Sequence, residues 1–172
     1  LGTRNLTAVI KDGDYKVAQY GQWDGYPEGQ GATVYEFLRG EGNLDKLTRN
    51  LDKVRWATDA DFAKANEAIG SKDNGWITME QGMKLNEMFP ELSRDTCAEI
   101  LSLVANTERE LALTDERAFL DDSLFCEWAY VVDLDTNELR VYTDGNKTLM
   151  ATFPLNALPD TEDEYFRLCH KH

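Results

Sequence analysis

What this 172-residue chain has little of narrows its function before any motif is read. It holds no apolar run near the ~20 residues that a membrane-spanning helix needs, so no membrane association is expected. Its two histidines, His170 and His172, both lie at the C-terminal end. A Ser-His-Asp or Cys-His site would therefore have to recruit a terminal imidazole. Cys97, Cys126 and Cys169 form no CxxC pair and are odd in number. That argues against a disulfide framework, suits a reducing compartment, and leaves the three as expected small buried hydrophobes. Cations are scarce as well, with 18 Lys and Arg against 32 Asp and Glu, a net charge of −14. Without a Lys/Arg cluster to neutralise phosphates, direct nucleic-acid binding is not expected. The opening residues lack a basic-then-apolar leader, and the expected location is cytoplasmic.

What is present fits one domain over residues 1–172, with 42% hydrophobic and 29% charged residues. The acids are interleaved with Lys and Arg, the pattern of solvated helix faces. The alternative is an acidic surface that mimics nucleic acid toward a host protein partner.

Residues 19–31, QYGQWDGYPEGQG, concentrate four glycines, two tyrosines, a tryptophan, a proline and two acids. Before them, LTAVIK (6–11) and DYKVAQY (14–20) flank Asp12-Gly13, a dipeptide suited to the positive φ values of a tight hairpin turn. With Lys11 opposite Asp14, unbroken pairing sets Arg4 opposite Gly21. One face then carries Leu6, Ala8, Ile10, Tyr15 and Val17, continuing into Gln19, Arg4 and Trp23; the other ends in Asn5, Tyr20, Thr3, Gln22 and Asp24. Polar groups thus gather at the open end of the hairpin, beside the glycine-rich loop.

The middle of the chain reads as helical. ATVYEFLR (32–39) stops at Gly40. A second helix follows Asn43 as N-cap, with Leu44, Leu47, Leu51 and Val54 as its apolar stripe. Thr58 with Asp61 and Thr78 with Gln81 form capping boxes for two more, and Ser93 caps a fifth with Cys97, Ile100, Leu101 and Val104 inward. Strand patterning returns at 110–113, at 126–134 and 139–143 as a hairpin with Leu134 opposite Leu139, and at 147–153. Thr161 with Glu164 opens a last helix. The expected class is α+β: an antiparallel sheet of about five strands, built from an N-terminal hairpin and a C-terminal meander, with a helical segment between them.

Strand, glycine-rich loop and helix start suggest an anion cradle, yet Gly29-Gln30-Gly31 is neither a Walker A loop nor a dinucleotide fingerprint. The alternative is a multi-turn connection with Trp23 and Tyr26 packed beneath it. GSKDNGWITMEQ (70–81) resembles a calcium loop but places Gly70, Lys72 and Gln81 where coordinating oxygens belong. Cys169, His170 and His172 lack a second ligand cluster for zinc. No metal or cofactor is expected. Thr3 opens a strand as an N-terminal nucleophile would, but Leu1 and Gly2 precede it, so the free amine is on the wrong residue.

GTRNLT (2–7) and KVAQYGQWDGYPEGQG (16–31) resemble an uncharacterised family of phage, prophage and other microbial proteins, and CEWAYVVDLDTNELRVY (126–142) is similar to its second shared region. The resemblance implies that the first hairpin, its loop and the late hairpin form one unit, and it carries no established activity. A phage setting favours a protein that blocks a host factor or sequesters a host signal. The expected function is a binding module for a small polar or anionic ligand, using Arg4, Asn5, Gln19, Gln22, Trp23, Asp24, Tyr26, Gly29 and Gly31. The alternative at the same place is a hydrolase with Asp24 or Glu28 as base, assisted by Tyr20 or Thr3.

Overall fold

The computed structural model describes residues 2–71 and 77–171. A five-stranded sheet runs in the order β2-β1-β5-β6-β7, formed by β1 (Asn5–Lys11), β2 (Asp14–Gly21), β5 (Trp128–Asp133), β6 (Glu138–Thr143) and β7 (Thr148–Pro154). Between its halves lie α1 (Ala32–Arg39), α2 (Asn43–Asn50), α3 (Asp59–Ile69), α4 (Met79–Met88) and α5 (Ile100–Asn106), and α6 (Glu162–His170) follows β7. The class is α+β. The sheet departs from a wholly antiparallel one at its centre, where β1 and β5 pair in parallel from Asn5↔Trp128 to Ile10↔Asp133. The connection between them spans the whole helical segment, so nothing local constrains their relative direction.

The first turn forms as its residues demand, with Asp12 at φ 55° and Gly13 at φ 75°. Its amides dock on the Asp135 carboxylate at 2.8 Å each. Pairing starts in the expected register, Lys11↔Asp14 and Ile10↔Tyr15, then shifts: Val9 pairs with Val17, Ala8 with Ala18, Thr7 with Gln19 and Asn5 with Gly21. Lys16 is the extra residue of a bulge. Because side chains alternate, one inserted residue swaps every following β2 side chain to the other face. The expected core face is therefore corrected. Val9 and Val17 join Val34, Phe37, Leu101, Tyr130 and Tyr165 in the main core under the helices. Leu6, Ala8, Ile10 and Tyr15 instead build a smaller core on the opposite face, with Leu120, Cys126, Ala129 and Val131.

Other departures have equally local causes. The late hairpin pairs Asp133 with Glu138 and Val132 with Leu139, two residues from the expected register, which leaves every side chain on its expected face. Asp133 sets the turn, its Oδ1 accepting from the amides of Asp135 and Thr136 while Oδ2 accepts from Arg140 at 2.9 Å. Burial opposes ionisation of Asp133, but Arg140 and the two amides outweigh it and hold its pKa below the ordinary value. The second helix ends at Asn50, and Val54 pairs instead in β3 (Val54–Trp56), parallel to β4 (Leu111–Leu113). Asn43 caps the C-terminal end of the preceding helix, its Nδ2 donating to Phe37 O at 2.9 Å. The boxes at Thr58/Asp61 and Thr78/Gln81 form, and Thr161 accepts from Glu164 N. Ser93 caps no helix. Its Oγ accepts from Asp95 N within a turn that precedes Cys97. Among the described residues no helix is long and apolar enough to cross a membrane.

Candidate functional site

The glycine-rich loop is folded tightly on itself. Gly25 N donates to Thr3 O, Gln30 N to Asp24 O, and the amides of Gly29 and Gly31 both to Tyr26 O. Residues Pro27–Gly31 form one wide turn that runs directly into α1, so the start of that helix offers no open ring of donors. A Cβ on Gly25 would stand 2.7 Å from Thr3 O, and one on Gly29 2.2 Å from Asp24 O. Close backbone approach is what these two glycines provide. Tyr130 Oη donates to Gly25 O at 2.7 Å and Tyr165 Oη to Gly31 O at 2.9 Å, anchoring the loop over the main core. Trp23 and Tyr26 are exposed rather than packed beneath it. Tyr26 Oη donates to Asp24 Oδ1 at 3.2 Å, and Glu28 meets His170 Nε2 at 3.0 Å.

The Lys16 bulge divides the remaining candidates between the two sides of the sheet. Asn5 and Gln19 face the helices and are buried. Asn5 Nδ2 reaches the carbonyls of Thr3, Gly21 and Trp23 at 3.2–3.3 Å, and Gln19 Nε2 donates to Ser93 O at 3.3 Å. Both pin backbone. Asn5 Oδ1 and Thr7 Oγ1 are buried without a hydrogen-bond partner among the described residues. Arg4, Tyr20 and Gln22 fall on the opposite face. Tyr20 Oη donates to Gln22 Oε1 at 2.6 Å and its ring meets Phe119 edge-on at 5.1 Å, while the Arg4 guanidinium lies 5.1 Å from the centre of the Phe125 ring.

β2 is an edge strand. Its outward backbone row is taken at Ala18, whose carbonyl accepts from Glu116 N. Two residues on, at Tyr20, the row reaches a cavity of about 70 Å³ lined by Gln19, Tyr20, Ser93, Arg94, Thr114 and Glu116. Burial lifts the Tyr20 phenol above its ordinary pKa against the pull of Arg4 and Arg94. Glu116 is also raised, by burial and then by Asp115. Arg4 and Arg94 form no ion pair among the described residues.

Arg94, Glu116, Phe119 and Phe125 carry no motif. The signal for Arg94 was its place in PELSRD (90–95), just after a proline, where Ser93 reads as a cap. Cys97, buried at φ 48°, donates through Sγ to Arg94 O at 3.4 Å and holds that turn from behind. All three thiols are buried, and burial drives Cys126 and Cys169 up to about 12. Of the loop that resembles a calcium site, residues 72–76 lie outside the described residues, as does His172. Gln81, its last coordinating position, is spent on the helix cap and on Gly70 O.

No protein-family model, curated protein or solved structure matches this chain.

Proposed function

We propose that this chain is a binding module for a small anionic ligand, held where Arg4, Tyr20, Gln22 and Arg94 meet at the open end of the first hairpin. The observation that carries the reading is the pair Arg4 and Arg94. Both act on the Tyr20 hydroxyl region, and neither forms an ion pair among the described residues, while the Glu116 carboxyl lines the Arg94 cavity and Glu127 Oε2 accepts from the Arg4 amide at 3.2 Å. In a chain of net charge −14, an anion is repelled at long range, and two guanidiniums outside any ion pair among the described residues supply the local attraction. Tyr20 and Gln22 orient the ligand, and Phe119 and Phe125 stiffen the site from below. Trp23 is exposed on the adjoining loop. With the resemblance to phage and prophage proteins, the role is sequestration of an anionic host signal in the cytoplasm.

Inorganic sulfate tests this reading, because it stays divalent at every working pH. Sulfate should raise the melting temperature of the protein, and Arg4→Ala and Arg94→Ala should each cut its affinity at least ~10-fold, the size of a charge-assisted hydrogen bond. Both variants should keep the melting temperature seen without sulfate. Unchanged sulfate stabilisation in both would place the site elsewhere.

A second reading rests on Glu116. A carboxyl of raised pKa lining the same cavity as Tyr20 and Arg94 is a better proton donor or acceptor than Asp24 or Glu28, and would serve hydrolysis of an anionic substrate. Turnover of an aryl phosphate or aryl sulfate that disappears in Glu116→Gln would establish it; no turnover in either protein leaves binding alone.

A further inference from the structure

A larger cavity, about 650 Å³, adjoins the small one, and Leu92, Ser93 and Arg94 line both. Its walls are mixed. Ile77, Met79, Met83, Leu85 and Leu92 supply apolar surface, Thr78, Ser93 and Asp95 supply polar surface, and Arg94 stands at the end shared with Tyr20. Helix α4, which forms one wall, buries none of its own residues fully. Met79 is 86% exposed and Met83 69% exposed, spaced four apart on one face. Methionines so placed adapt to an apolar occupant of variable shape.

Gly82 adds an independent sign. It sits in the interior of α4, where glycine weakens a helix relative to alanine. Neither φ nor packing requires it, since an added Cβ would meet only Ile77 Cδ1, at 3.8 Å. What the missing side chain does is keep the floor of the cavity open between α4 and the turn at Leu92–Asp95.

We infer that the ligand is an amphiphile, with an anionic head on Arg94 and an apolar tail along the methionine-lined cavity of α4. The inference rests on the anion-binding reading of the same site and names the ligand class. The volume lies within the range of small-molecule sites, ~300–1,000 Å³. Arg94 is the hinge of the recognition. It lines both cavities, so one side chain is within reach of head and tail.

The test compares inorganic sulfate with octyl sulfate, kept below its micelle concentration, by calorimetric titration. At roughly fourfold per buried methylene, octyl sulfate should bind at least ~100-fold tighter than sulfate, with one molecule per chain. Gly82→Leu, which fills the floor and favours the helix, should remove most of that gain and leave sulfate affinity unchanged. The uncharged double variant Met79→Ser, Met83→Ser should act in the same direction. Arg94→Ala should weaken both ligands. Sulfate binding with no gain from the octyl chain overturns the amphiphile and leaves the anion site standing. No binding of sulfate removes the anion reading, and the inference with it. Octyl sulfate binding that survives Gly82→Leu and Arg94→Ala, or exceeds one molecule per chain, is surfactant adsorption and also overturns the proposal.

Discussion

The glycine-rich loop and the outer edge of β2 lie at the same end of one hairpin, and they use their unusual residues in opposite ways. In the loop, the amides of Gly25, Gly29, Gln30 and Gly31 all donate to nearby carbonyls, and Tyr130 and Tyr165 tie it to the core. At the β2 edge, Arg4 and Arg94 form no ion pair among the described residues, and Arg94 lines two cavities. A high density of conformationally special residues thus marks a place where backbone must approach backbone. A guanidinium outside any ion pair, lining a concave edge, is where a ligand would be recognised. The first is visible as composition; the second exists only after folding.

Breaking the loop should have the largest effect. Gly25→Ala sets a methyl group 2.7 Å from Thr3 O and Asn5 Cβ, a clash with backbone that cannot swing aside. A loss of about 3 kcal/mol, at the upper end for overpacking, is expected in urea unfolding, together with loss of sulfate binding as Thr3–Asn5 shifts. If the variant is as stable as the parent, the loop is more plastic than its packing implies.

A smaller effect, confined to the edge, comes from pH. The Glu116 carboxyl is raised in the folded protein, so below the ordinary carboxylate range both folded and unfolded chains are protonated there. As pH rises through that range the unfolded chain ionises first, and stability falls until the folded carboxyl ionises as well. Sulfate affinity should fall over the upper part of the same window, by roughly two- to fivefold, as Glu116 becomes an anion in the site. Glu116→Gln should flatten both slopes. A slope that persists in that variant belongs to another carboxylate.

The smallest expected change sharpens the contrast between the two faces of the hairpin. Thr7 Oγ1 is buried on the helix-facing side without a partner among the described residues, so it contributes desolvation and no bond. Thr7→Val keeps the shape, and should leave stability unchanged or raise it by up to ~1 kcal/mol with sulfate binding intact. A clear loss would mean that Oγ1 is satisfied in solution.

Much of the fold was legible locally. Asp12-Gly13 states its turn because only residues tolerant of positive φ fit there. The boxes at Thr58/Asp61 and Thr78/Gln81 state helix starts because both partners sit within one turn of chain. Where a residue had two local uses, sequence reading chose the wrong one: Asn43 as N-cap instead of C-terminal cap, Val54 as helix stripe instead of strand. In both cases the deciding partner, Phe37 O or Leu111, comes from a neighbouring element. Of the site, Arg4, Tyr20 and Gln22 were within reach because they flank the loop. Arg94 and Glu116 were not, being 74 and 96 residues from Tyr20, with no periodicity to tie them to it.

By itself, then, the sequence determined that residues 6–20 fold as a hairpin around Asp12-Gly13, since the positive φ values of that turn are a local demand, while the packing of the glycine-rich loop needed Tyr130 and Tyr165 from far along the chain. Which side chains share a face there was decided by tertiary structure. A single bulge at Lys16 moves Tyr20 and Gln22 to the side of Arg4 and buries Asn5 and Gln19 beneath the helices. Such a bulge answers to the strands and turns packed on both sides of β2, with Glu116 on Ala18 and Ser93 on Gln19. Those partners are distant in sequence, and no rule of local propensity registers them.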